Sequence, residues 1–198
     1  MTDCLKSLCA LDGVSGCEDA VADYIINEIK PYAECYIDSL GNVIAHKKGA
    51  KAGKKRVLFD AHMDEVGLII TSVREDGFLT FSCVGGINTE ALLARRVKIG
   101  RIYGVICVKP VHMLTGDEKN KLPDKESLVI SIGADNKADA EKYVLVGDTA
   151  VFDSDFVEFG DNRIKAKALD DRVGCAIMID LIKSNLPYAA WFSFSVPE

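Results

Sequence analysis

A chain of 198 residues allows one large domain or two small ones, and 48% hydrophobic against 27% charged residues excludes general disorder. The net charge of −6, from 24 Lys and Arg against 30 Asp and Glu, repels phosphate backbones, so a nucleic-acid partner would need a local basic stripe. No stretch approaches the ~20 apolar residues of a membrane span, and the first residues carry no export signal. Seven cysteines without a C-x-x-C pair point to reduced thiols, so a cytoplasmic protein with neither membrane nor nucleic acid as partner is expected.

In chain order, residues 2–11 are predicted as a short helix that stops before Asp12-Gly13. Ser15, with Glu18 three positions on, has the pattern of a capping box. It would open a second helix in which Val21, Tyr24, Ile25, Ile29 and Tyr32 recur at helical spacing up to Pro31. Two strands, 34–39 and 42–46, flank the turn at Leu40-Gly41-Asn42. The six basic residues of 47–56 sit among Gly and Ala and read as a solvated loop, not a nucleic-acid stripe. A third strand, 56–64, starts apolar and ends polar.

From 66 to 165 the texture changes to short β-branched runs separated by Gly, Asp and Asn turns. The runs 67–73, 78–84, 96–99, 104–108, 128–132, 149–152 and 156–159 predict a small β-barrel or sandwich. Only 89–94 and 138–143 read as helical inside it. Beyond Ala168 a helix is predicted over 171–184, with Val173, Ala176, Ile177, Leu181 and Ile182 on one face. A last strand, 190–196, alternates Phe192, Phe194 and Val196 against Trp191, Ser193 and Ser195. The expected organisation is α/β: a catalytic domain in two parts, 1–65 and 166–198, around an inserted β-rich module, 66–165.

Several signatures of chemistry fail on their spacing. Gly49 to Lys54 is one residue short of a P-loop, lacks its Ser or Thr and precedes a strand instead of following one. Gly13-Val14-Ser15-Gly16 lacks the second spacer of a nucleophile elbow. What remains is His62-Met63-Asp64-Glu65 at the carboxyl end of a predicted strand, where open α/β sheets place ligands. Residues two apart on a strand share a face, so His62 could offer one ring nitrogen to a metal while Asp64 orients the other. A strand-end His is more often a hydrogen-bonded structural residue, so this motif does not select a metal by itself. Asp170-Asp171 stands directly before a helix: one Asp accounts for an N-cap, and the second leaves a carboxylate free to bridge divalent ions. Glu198 ends a predicted apolar strand and, from position alone, is a charged terminus.

Taken together, Ala61-His62-Met63-Asp64-Glu65-Val66-Gly67 and Lys167-Ala168-Leu169-Asp170-Asp171-Arg172-Val173-Gly174 resemble the tetrahedral, dodecameric two-metal aminopeptidases, the glutamyl and deblocking enzymes. Val14 to Glu18, Asp38 to Asn42, Val84-Gly85-Gly86 and Lys109 to His112 fall in the same family order. The resemblance implies two divalent ions (Zn, Co or Mn), with His62 and Asp170 as metal ligands and Asp170 bridging. It implies that Asp64 orients and polarises His62, that Asp171 and Glu65 lie near the site, and that Glu198 is the general base. It also implies a peptide substrate with a free N-terminus, a homo-oligomer, a catalytic domain of phosphorylase/hydrolase-like mixed-sheet type and a dimerisation role for the β module. A cis peptide at Asp170–Asp171 belongs to the same expectation. In the family the chain continues beyond the match to Glu198 and supplies three further metal ligands. Two ions held by His62 and Asp170 alone would be too poorly coordinated to persist. Two further readings stand beside this one: a non-catalytic fragment acting only in assembly, or a hydrolase of another class, deacylase or glycosidase, on the same scaffold.

Overall fold

The computed structural model describes residues 1–51, 53, 56–108 and 122–196. Pro197 and Glu198, together with Lys109 to His112, lie outside the described residues. The chain forms two compact units, Met1–Glu65 with Ser154–Glu198, and Val66–Asp153.

The first unit begins with α1 (Thr2–Ala10) and α2 (Asp19–Ile29), whose apolar stripes bury Leu5, Leu8, Val21, Ile25 and Ile29. Strands β1 (Glu34–Ile37), β2 (Val43–Lys47) and β3 (Leu58–His62) follow. Tyr32 lies beyond α2 and is exposed, because the chain leaves the helix at Lys30. Helix α5 (Leu169–Lys183) and strand β12 (Ala190–Ser195) complete the layer, and a hairpin of β10 (Val157–Phe159) with β11 (Arg163–Lys165) also belongs to this unit. The sheet runs in the order β1-β2-β12-β3, with β12 antiparallel to β2 and parallel to β3.

One expectation, the inward face of α5, needs correction here. Strand β12 lies between β2 and β3, with Phe192 and Phe194 fully buried. Its strict alternation fits one face packed on helices, and hydrogen bonding to both neighbours leaves the edge position to β3 among the described residues. The apolar start of β3 is accordingly exposed at Leu58 and Phe59, the latter stacked on Phe192 with ring centroids 5.2 Å apart. Helix α5 buries Arg172, Cys175, Ala176, Met178, Ile179 and Ile182, leaving Val173 and Ile177 exposed, so its inward face is rotated from the one expected. The rotation has a cause: fully buried Arg172 is used as an inward residue, which hydrophobic periodicity cannot register.

The second unit is a closed barrel of six strands in the order β4-β5-β8-β7-β6-β9. These are β4 (Gly67–Val73), β5 (Leu79–Val84), β6 (Arg96–Ile99), β7 (Ile102–Cys107), β8 (Val129–Ser131) and β9 (Thr149–Phe152). Closure leaves no free edge, and the interior is filled by Leu68, Ile70, Leu79, Val97, Ile106, Ile130 and Ala150. Two short helices, α3 (Thr89–Leu92) and α4 (Lys137–Ala140), link the strands, and α4 is capped by Asn136, which accepts from the Asp139 N–H.

Candidate functional site

His62 closes β3, at the carboxyl end of the parallel β3–β12 pair, with Ser195 beside it in register. Its Nδ1 lies 2.8 Å from Asp64 Oδ1 and its Nε2 lies 3.3 Å from Asp170 Oδ1. Each ring nitrogen therefore faces a carboxylate. A neutral imidazole has one N–H and can serve only one of them. Burial works against a charged ring, yet the hydrogen bonds and charges of Asp64 and Asp170 outweigh it and hold the imidazole above its ordinary range. Which carboxylate receives the ring N–H depends on the tautomer.

The two acidic residues before α5 divide in the structure. Asp171 turns its carboxylate onto the first turn, where Oδ1 accepts the Gly174 N–H at 3.0 Å, an N-cap bond. A Cβ at position 174 would stand 2.5 Å from Asp171 Oδ2, so only glycine lets the cap close. Asp170 is left with a side chain that is 96% exposed and turned to His62. The Asp170–Asp171 peptide is cis.

Asp64 is nearly buried, and its second oxygen, Oδ2, accepts the hydroxyl of Ser15. This overturns the capping box. Helix α2 has Glu18 at its N-cap position with no side-chain cap, and Glu18 Oε1 accepts the Gly16 N–H at 2.7 Å. Ser15 belongs to the site loop, not to the helix. Residues 13–15 reach the site because the Glu65 N–H donates to the Gly13 carbonyl at 2.8 Å and Gly13 N–H donates back to Glu65 Oε1 at 3.1 Å.

Glu65 anchors a buried charge network. Its carboxylate accepts Lys167 Nζ, which also donates to the Leu11 carbonyl at 2.7 Å, and it lies 3.8 Å from Arg172 Nη2. Arg172, fully buried, donates through Nε to the Met63 carbonyl at 2.7 Å and through Nη1 to the carbonyls of Leu8 and Leu11. Two cations thus satisfy carbonyls at the carboxyl end of α1, where the helix dipole favours positive charge. Burial pushes the Glu65 carboxyl up, while Lys167, Arg172 and the Gly13 N–H pull it partly back. Gly13 is required by close approach, since a Cβ there would stand 2.8 Å from Arg172 Nη2. Ser15, Lys167 and Arg172 were not foreseen as a group; their partners are 49 to 164 residues away in sequence.

The donor chemistry fits a divalent ion as far as it goes. With Nδ1 turned to Asp64, Nε2 is left beside an exposed carboxylate, and imidazole with carboxylate suits Zn, Co or Mn. Among the described residues no group of three or more His, Cys, Asp and Glu is placed to hold a metal, so His62 and Asp170 make up an incomplete set. Glu198 lies outside the described residues.

An α/β layer with helices packed on a mixed sheet, joined in one chain to a closed barrel, is the fold of known aminopeptidases. The aminopeptidase from the archaeon Desulfurococcus kamchatkensis superposes with a TM-score of 0.90 at 37% identity, over 99% of this chain and 55% of its own. A TET aminopeptidase from a marine-sediment Thaumarchaeota archaeon gives 0.92 at 34% identity, over 100% and 58%. The lysyl aminopeptidase of Pyrococcus furiosus is 33% identical over 185 residues, 89% of this chain and 52% of the relative. The chain belongs to the M42 glutamyl aminopeptidase family, whose model matches residues 41–198. It spans about half the length of the curated relatives it matches, 58% and 52% for the first two. Among the described residues no helix is long and apolar enough to cross a membrane.

Proposed function

We propose that this chain serves a cytoplasmic, metal-dependent aminopeptidase that removes residues from the free N-terminus of peptides. The observation that carries the reading is the convergence of His62 Nε2 and Asp170 Oδ1, 3.3 Å apart, while Asp64 occupies the other ring nitrogen. His62 and Asp170 would be the residues of this chain that hold a divalent ion there. When bound, such ions polarise the scissile carbonyl and acidify the attacking water. Asp64 keeps the ring in the tautomer that presents Nε2. Glu198 takes the proton of the attacking water and returns it to the leaving amine.

The barrel unit serves dimerisation in this reading, and a larger homo-oligomer follows by likeness. One solved relative, 36% identical, is titled a dodecamer. A relative from Thermotoga maritima, 37% identical, is titled an endoglucanase. Glycosidases work with opposed carboxylates and without an imidazole between them, so peptide hydrolysis is preferred. The test uses the complete protein with a chromogenic aminoacyl amide, with and without chelator, and elemental analysis alongside. His62→Ala lowers metal affinity by at least about 10-fold, and Glu198→Gln keeps the metal but loses turnover. Unchanged metal content in His62→Ala would overturn the assignment.

A further inference from the structure

We infer that Ser15 is a positioning residue for this site, acting through Asp64 on the tautomer of His62; the inference deepens the metal-ligand reading and rests on it. The loop after α1 is stapled to the segment after β3 by a reciprocal pair, Glu65 N–H to the Gly13 carbonyl and Gly13 N–H to Glu65 Oε1. That pairing aligns Val14 with Glu65 as a parallel bridge and brings the Ser15 hydroxyl onto Asp64 Oδ2. Asp64 Oδ1 is then the oxygen left for His62 Nδ1, at 2.8 Å.

A carboxylate on a short Asp side chain rotates about its last bond unless both oxygens are engaged. With Oδ2 committed to a hydroxyl donor, Oδ1 stays in line with the ring and demands a proton on Nδ1. The lone pair on Nε2 is the consequence. Ser15 is suited to the role because its hydroxyl can donate, whereas a carboxylate there would repel Asp64. The placement also gives the buried Glu65–Lys167–Arg172 network a use beyond packing: it fixes the loop that carries Ser15.

The experiment reads the imidazole directly. In the metal-free full chain, held with chelator at a pH where His62 is neutral, ¹⁵N shifts of the ring give its tautomer. The wild type is expected to carry its proton on Nδ1. In Ser15→Ala the Nε2–H form becomes a substantial fraction, and Ser15→Thr, which keeps the hydroxyl, restores the wild-type pattern. A Co²⁺ titration of the same proteins is expected to show about 10-fold weaker binding in Ser15→Ala and none of that loss in Ser15→Thr. An unchanged tautomer in folded Ser15→Ala, or failure of Ser15→Thr to restore it, overturns the inference. The metal reading fails separately, if His62→Ala binds Co²⁺ as the wild type does, and the tautomer result still decides the role of Ser15.

Discussion

Removing the charge of Glu65 tests whether the network under the site is a true buried ion cluster. Glu65→Gln keeps the shape and an acceptor for the Gly13 N–H but strands Lys167, whose side chain is 9% exposed, and the fully buried Arg172. At an effective dielectric constant of 20, the attraction across 2.5 Å to Lys167 is roughly 7 kcal/mol before desolvation, and across 3.8 Å to Arg172 roughly 4 kcal/mol. Desolvation cancels most of that gross energy, and what a substitution exposes is the cost of leaving cations buried without their partner, about 3–5 kcal/mol. Three carbonyls on Arg172, and Leu11 with Asp12 beside Lys167, soften the loss, so about 3 kcal/mol is expected. Lys167→Met costs less, because Glu65, already pushed toward the protonated form by burial, can take up a proton. The double variant should fall short of the sum by about 1–2 kcal/mol. Equilibrium urea unfolding read by Trp191, the single tryptophan and a residue of β12, measures all three without a change in slope. A loss below about 1 kcal/mol in Glu65→Gln, or strict additivity in the cycle, would refute the account.

The remaining predictions concern the neighbours of this network. Asp171→Ala removes the acceptor of the Gly174 N–H and should cost about 1 kcal/mol in urea unfolding with chelator present, whereas Asp170→Ala, at a 96% exposed side chain, should stay within about 0.5 kcal/mol. The order reverses for metal uptake, which Asp170→Ala should abolish and Asp171→Ala should largely keep. Burial pushes the Cys175 thiol up to about 12, so it should resist a disulfide reagent at pH 8 until the protein is unfolded, while exposed Cys17 reacts in the folded state. Labelling of folded Cys175 at a rate near that of Cys17 would show the core around α5 to be open.

Local chemistry was legible wherever partners are close in sequence. The alternation of Phe192 and Phe194 with Ser193 and Ser195 marked β12, and helical spacing marked α2 from Val21 to Ile29. The adjacent Asp170 and Asp171 implied one cap and one free carboxylate, and the structure places Asp171 on Gly174 and Asp170 on His62. Sequence order failed where a residue spends its side chain on a distant partner. Ser15 and Glu18 satisfy a capping-box pattern, yet each oxygen is engaged elsewhere: Ser15 with Asp64, Glu18 with the Gly16 N–H.

Arg172 shows why the rest was hidden. A helical wheel scores arginine as outward-facing, so the expected face of α5 took in Val173 and Ile177, both exposed, beside Ala176 and Ile182, which are buried. The actual face is turned so that the guanidinium reaches carbonyls of Leu8, Leu11 and Met63, three groups that no helical period connects to position 172. Backbone carbonyls at the end of a helix have no sequence signature; any residue supplies one. A buried cation can therefore be recognised only once the chain end that needs it is in place. The same holds for Lys167 on Leu11 and for Glu65 on Gly13. Through these contacts the end of α1, the loop bearing Ser15, the segment after β3 and the start of α5 are held as one scaffold. His62 and Asp170 face each other across 3.3 Å because that scaffold fixes both chain segments, although they lie 108 residues apart.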